Sequence, residues 1–176
     1  MSGIKNLRTL TMASFLVAIG IIAGFLKVPI SNVLEIRFST VPLAAAGLLF
    51  GPAIAAVTGA LTDIGGFIVK PTGPFFPGFT LSGILSGVIF GLFLHKRSGA
   101  AYSLKRISAA VIVNTVVVNL LLNSLWLTLL YGSGGFAAVL SMRLLKELVM
   151  IPVNIIIIAA IAGPVNSLAR RGALSQ

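Results

Sequence analysis

The sequence predicts an all-α integral membrane protein, a six-helix transmembrane bundle with both termini in the cytoplasm. Three observations carry that expectation. The chain is 57% hydrophobic and only 9% charged, with a mean hydropathy of +1.10, where a soluble domain carries about 25% charged residues to keep its exterior wet. Its apolar runs are each close to the roughly 20 residues that cross a bilayer. Eleven of its 13 Lys and Arg lie in the polar segments that flank those runs, and only Arg143 and Lys146 fall inside one. A length of 176 residues suits a single membrane domain spanning 1–176.

The helices follow in order. Residues 9–26 form the first apolar run, behind Lys5 and Arg8. A polar interruption with Lys27, Pro29, Glu35 and Arg37 precedes the second, 38–50, which is short and has room to begin nearer Ile30, with Glu35 and Arg37 in its outer turn. Gly51-Pro52 breaks the chain, and 52–69 makes the third helix with proline at its first position, where a missing N–H costs little. Residues 70–77 hold three prolines and read as a loop. The fourth helix is 81–95, the fifth 107–131, and the sixth 136–168, with Pro152 the expected site of a kink. An even number of spans puts both termini on one side. Eight of the 13 cations (Lys5, Arg8, Lys96, Arg97, Lys105, Arg106, Arg170 and Arg171) then share it, which the positive-inside rule makes the cytoplasm.

Several functions are excluded by what the chain lacks. A net charge of +10 would point to nucleic acid in a soluble protein, but among membrane spans it records topology. With no cysteine, disulfides, thiol catalysis and iron–sulfur clusters drop out. One histidine and three acids leave no expected metal site or cofactor, and no phosphate-binding loop for ATP is present. An enzyme is therefore not expected.

Polar residues inside a bilayer are functional candidates because each is costly unless paired. On the sixth helix Arg143, Lys146, Glu147, Met150 and Asn154 advance by threes and fours along one face. On the fifth, Thr115, Asn119, Asn123 and Trp126 do the same. Two facing polar stripes beneath proline- and glycine-rich loops describe a ligand pocket open to the outside. The plainer alternative is an internal Arg143–Glu147 pair, helix-knitting asparagines and a Lys146 that snorkels to the interface. Phe75, Phe76 and Phe79 either anchor the membrane interface or make a stacking wall with Trp126. Asp63 either binds ligand or satisfies a neighbour. Small residues repeat at four-residue spacing: Gly83, Gly87 and Gly91 on the fourth helix, Ala55 and Gly59 on the third. The first carries two such faces, Ser14 with Ala18 and Gly20 with Gly24, more than one neighbour requires.

Six short segments, in order, carry a family resemblance: Glu35-Ile36-Arg37-Phe38, Leu49-Phe50-Gly51-Pro52, Thr58-Gly59-Ala60-Leu61-Thr62-Asp63, Phe76-Pro77-Gly78-Phe79-Thr80, Asn123-Ser124-Leu125-Trp126 and Arg143-Leu144-Leu145-Lys146. The chain resembles a substrate-binding (S) component of the energy-coupling factor (ECF) vitamin transporters, most of all the folate-specific kind, over about 10–161. The resemblance implies a multi-pass protein of the bacterial cell membrane that captures folate from outside. It would then dock on a transmembrane coupling subunit carrying two ABC ATPases. It also implies docking through Ala-x-x-x-Ala on the first helix, which here reads Ser14-x-x-x-Ala18. Folate wants a stacking wall for its flat ring, Asn or carboxylate for its aminopyrimidinone edge, and Arg or Lys for its anionic tail. Trp126, Phe76 and Phe79, then Asn119, Asn123 and Asp63, then Arg37, Arg143 and Lys146 are the expected set. Riboflavin, pantothenate or a thiamin-related vitamin is the alternative ligand, and a self-sufficient small carrier the alternative function.

Overall fold

The computed structural model describes residues 7–25, 28–29, 35–36, 39–71, 73–95, 103–132 and 135–168. Six helices account for nearly all of them: α1 (Leu7–Phe25), α2 (Thr40–Phe50), α3 (Pro52–Val69), α4 (Pro77–Leu94), α5 (Leu104–Tyr131) and α6 (Phe136–Leu168). Four of them, α3 to α6, are long and apolar enough to cross a membrane, while α1 and α2 are shorter apolar helices. Large apolar side chains such as Phe15, Ile68, Leu129 and Leu145 face outward. In water that would be untenable, whereas lipid is as apolar as leucine.

Helix boundaries depart from the sequence reading in two places that matter for the site. The second helix does not reach back toward Ile30. Val28–Pro29 (β1) and Glu35–Ile36 (β2) form a two-residue antiparallel bridge, Val28 opposite Ile36, so this backbone is extended and α2 starts at Thr40. Pro42 sits in its first turn, where an N–H has no intrahelical partner to lose. The fourth helix begins four residues earlier than 81, with Pro77 at its first position. Phe79 and Thr80 are therefore fixed on a helix rather than carried by a loop. The sixth helix runs unbroken through Pro152 and Pro164 for 33 residues, roughly 50 Å at about 1.5 Å per residue.

One stretch of α5 is not α-helical. Between Leu104–Asn114 and Asn123–Tyr131 the residues Thr115–Leu122 form a π-helix. Its wider i→i+5 turn changes which residues share a face.

The bundle is closed at one end and hollow at the other. The closed end is an apolar core of Ala44 and Leu48 from α2, Phe90 and Leu94 from α4, Ile107, Ala110 and Val111 from α5, and Ile158 and Ala162 from α6. His95, the lone histidine, ends α4 there and packs its ring over Gly51, whose φ of +81° turns α2 into α3. The tightest crossing is between α3 and α4. A Cβ on Gly83 would lie 2.8 Å from the Gly59 carbonyl oxygen. Reciprocally, one on Gly59 would overlap the Gly83 carbonyl, and Gly87 and Gly91 meet the Ala55 and Pro52 backbones in the same way. The glycine stripe of α4 thus serves internal packing, since backbones this close admit no side chain. On α1, Gly20 meets Thr62 of α3, which turns Ser14 and Ala18 outward, where both are exposed.

Gly59→Ala should destabilise the bundle by about 1–3 kcal/mol, the usual cost of overpacking a rigid contact. Gly163→Ala, with nothing within 4 Å of its added carbon, should stay within about 0.5 kcal/mol. Paired thermal unfolding in one detergent checks the contrast.

Candidate functional site

The hollow end holds a cavity of about 690 Å³, inside the roughly 300–1,000 Å³ typical of small-molecule sites. Along α4 its wall runs from Phe79 to Phe90, roughly 17 Å of helix at about 1.5 Å per residue, with Phe76 just before the helix start. It is a long slot rather than a bowl. All the helices contribute, and Gly24 and Gly66, with nothing among the described residues within 4 Å of an added carbon, keep one side open.

The charged middle is organised by Glu147. Its side chain is 2% exposed. Lys146 Nζ lies 2.8 Å from Glu147 Oε1 and Arg143 Nη2 lies 3.9 Å from the same oxygen. From α5, Asn119 Nδ2 donates to Glu147 Oε2 at 3.1 Å. The i,i+4 spacing pointed to Arg143 as the partner of Glu147, yet the neighbouring lysine approaches more closely. One carboxylate thus organises two cations and ties α5 to α6. Asp63 of α3 accepts a 2.8 Å hydrogen bond from Thr80 Oγ1 of α4, a contact that depends on the early start of α4.

Aromatic rings flank the entrance. Phe76 meets Phe79 edge-on at 6.1 Å and Trp126 at 5.6 Å, while Phe67 and Phe75 lie 5.1 Å apart. Lys70 Nζ stands 6.0 Å from the ring centre of Phe25 at the same rim.

Of the expected binding residues, the structure brings Asp63, Phe76, Phe79, Asn119, Asn123, Arg143 and Lys146 onto the cavity wall. All five members of the α6 stripe, Glu147, Met150 and Asn154 included, lie on it. Arg37 lies outside the described residues. Trp126 is the departure: it is not on the wall but behind Phe76, with its indole N–H donating to Ser82 Oγ at 3.1 Å. It backs the aromatic wall rather than forming it. The reason lies in α5, where a uniform α period aligned Thr115, Asn119, Asn123 and Trp126. The π-helix instead places Asn114 and Asn119, five apart, on the cavity together with Val118, and leaves Thr115 buried elsewhere. Asn114 was not foreseen for that reason. Ser82, Ser86, Lys70 and Tyr131 were also missed as wall residues, and no periodicity distinguishes such small or terminal polar groups from packing ones.

Among the described residues no group of three His, Cys, Asp or Glu could hold a metal ion. The cavity wall combines cations and carboxylates at mid-depth, amides beside them and rings at the entrance, a set of groups suited to a ligand with both a flat ring and charge. A membrane-embedded bundle with such a slot is a ligand-binding membrane protein. This chain belongs to the family described as "ECF transporter, substrate-specific component", whose model matches residues 8–162.

Relatives agree with that placement. A protein of Clostridium novyi (strain NT) named "Folate transporter FolT" is 35% identical over 155 residues, 88% of this chain and 87% of that protein. One of the same name from Leuconostoc mesenteroides is 28% identical over 152 residues, covering 84% and 80%. The structure is similar to "Crystal structure of FolT bound with folic acid", with a TM-score of 0.82, 28% identity, and coverage of 90% of this chain and 95% of that one. The S component for biotin from an ECF-type ABC transporter shares the fold, with a TM-score of 0.65 at 20% identity over 99% and 97%.

Removing the organising carboxylate should be expensive. Glu147→Ala takes the carboxylate from the buried Arg143 and the partly buried Lys146 and should destabilise the protein by about 3–5 kcal/mol. Lys70→Ala at the exposed rim should cost about 1 kcal/mol or less. Equal losses in thermal unfolding would contradict the role given to Glu147.

Proposed function

We propose that this chain is the folate-binding S component of an ECF-type ABC importer. It captures folate from outside the cell and delivers it by docking on a coupling module driven by two partner ATPases. The observation that carries the reading is the joint composition of one slot. An aromatic entrance, carboxylate and amide groups, and a cationic mid-section are the three things a flat aminopyrimidinone ring with an anionic tail requires. The names of the curated relatives point the same way. A neutral vitamin would leave the Arg143 and Lys146 cluster with little to do, and a smaller one would not need so long a slot.

Both termini lie in the cytoplasm in this reading, which places the slot's entrance outside. The grounds are the charge asymmetry between the two sets of loops. Ser14 and Ala18 on the outward face of α1 form the docking patch for the coupling subunit. Their exposure supports this, because α1 already satisfies its bundle contact through Gly20. ATP hydrolysis belongs to the partner subunits, and the chain itself binds and releases.

Two measurements check these assignments. By calorimetry in detergent, Arg143→Ala should weaken folic acid binding tenfold or more, in line with about 1.5–3 kcal/mol for a hydrogen bond to a charged group. Arg106→Ala, exposed at the start of α5, should leave affinity unchanged, and equal affinities for the two variants would remove Arg143 from the site. Ala18→Trp should abolish ATP-dependent folate uptake in the assembled transporter while the isolated chain binds folic acid normally. Parallel loss of binding would count against the docking patch.

A further inference from the structure

Helices α1 and α3 touch lower in the bundle and part toward its hollow end. A Cβ on Gly20 of α1 would lie 2.8 Å from Thr62 Cγ2 of α3, and one on Gly65 would meet Ile21. One turn further out that contact ends. A Cβ on Gly24, or on Gly66, would have nothing among the described residues within 4 Å. Both glycines line the cavity, as do Phe25 and Lys70 at the outer ends of the two helices. The parting is therefore a corridor that leaves the slot between α1 and α3, with Lys70 at its mouth. Lys70 Nζ stands 6.0 Å from the Phe25 ring centre, a cation–π contact that restrains the ammonium there.

Glycine inside a helix is less favourable than alanine by about 1 kcal/mol, and elsewhere in this bundle a close backbone approach offsets that loss, as at Gly59 and Gly83. Gly66 makes no such approach among the described residues, and what its bare surface provides is room. The charge along the slot shows what the room suits. Arg143 and Lys146 stand at mid-depth and Lys70 at the rim, and no cation on the described wall lies deeper than Lys146. An anionic chain running from the Arg143 level toward the entrance therefore meets Lys70 next. The gap is short. The Tyr131 hydroxyl at the end of α5 stands beside Gly73, just past α3, so the two helices end at one level. From there Arg143 lies seven residues into α6 from Phe136, roughly 10 Å down at about 1.5 Å per residue.

We infer that the α1–α3 corridor, lined by Gly24 and Gly66 and ended by Lys70, binds added anionic units on the ligand's tail, so that the chain accepts folates extended by further γ-linked glutamates. The inference rests on the folate reading and adds to it the class of tail the site takes. A γ-linked glutamate has two more chain carbons than an ordinary residue, whose reach is about 3.5 Å. One or two added units therefore carry a carboxylate from the Arg143 level to Lys70. Each unit brings its own α-carboxylate, which suits an ammonium acting as a compact point charge. The corridor also keeps the longer tail away from the aromatic wall, since its bulk passes between glycines rather than past Phe76 and Phe79.

The test compares folic acid with the same molecule carrying two further γ-linked glutamates, by calorimetry on the purified chain. At low salt the wild type should bind the extended compound about threefold more tightly than folic acid. That advantage should vanish near 1 M salt, where the screening length is about 3 Å. Lys70→Ala should remove the advantage at low salt. Gly66→Leu, which fills the corridor, should reverse it, so that the extended compound binds about threefold more weakly than folic acid. Gly24→Leu reads the same ratio from α1 if the Gly66 variant does not fold. A general packing defect lowers both ligands together, so the ratio separates tail recognition from stability. A wild-type ratio at or below one at low salt overturns the corridor while folate binding stands. So does a ratio that stays within about twofold of wild type in both the Lys70 and the glycine variants. A wild-type chain that binds neither compound overturns the folate reading, and the corridor with it.

Discussion

Charge in an apolar bundle is tolerable only when it is answered locally, and here Glu147 provides most of the answer. It holds Lys146 and Arg143 along α6 and accepts from Asn119 across on α5. Without it, the buried Arg143 and the partly buried Lys146 would lose a carboxylate that stands within 3.9 Å of both, at a depth where charge is costly to leave unanswered. The same knot fixes α5 against α6 at mid-depth, leaving the space between them and α3 and α4 open. The cavity therefore depends on a pairing that also sets the field inside it: among the described residues, three cations against two carboxylates on its wall. An anion entering this slot meets side chains already gathered for it, with little reorganisation left to pay at binding.

The opposite requirement operates between α3 and α4. There contact is made chiefly by backbone on backbone, through Gly59, Gly83, Gly87 and Gly91. That crossing brings Thr80 to Asp63 and supports the row Phe76, Phe79, Ser82 and Ser86 that lines one side of the slot. A rigid glycine-packed hairpin and a charge-knotted pair thus make two walls by different physics. The outer face of α1 takes no part in either, which leaves Ser14 and Ala18 available to a partner.

Much of this was legible in the sequence. Hydropathy and polar breaks located six helices, because a bilayer imposes a length scale that survives in the residues themselves. The α6 stripe was readable in full, since that helix keeps one period from Arg143 to Asn154 and all its polar members reach the cavity. The α5 stripe was half readable. Asn119 and Asn123 follow either period, but Trp126 and Asn114 exchange places once Thr115–Leu122 winds as a π-helix, and nothing local in Thr-Val-Val-Val-Asn announces that turn. Likewise the prolines of 70–77 read as a loop and leave Phe79 outside the fourth helix, whereas Pro77 stands at its first position, where proline is favoured. Helix existence followed from composition; the faces depended on winding.

A single measurement bears most directly on the claim that this slot holds a folate. The chain has one tryptophan, and Trp126 lies behind Phe76 at the wall of the slot, so its fluorescence reports on this cavity alone. Titration of the purified chain with folic acid, corrected for absorbance, should give a saturable quench that is complete at one ligand per chain. A decline that tracks free tryptophan in the same buffer, linear and without saturation, would contradict the account.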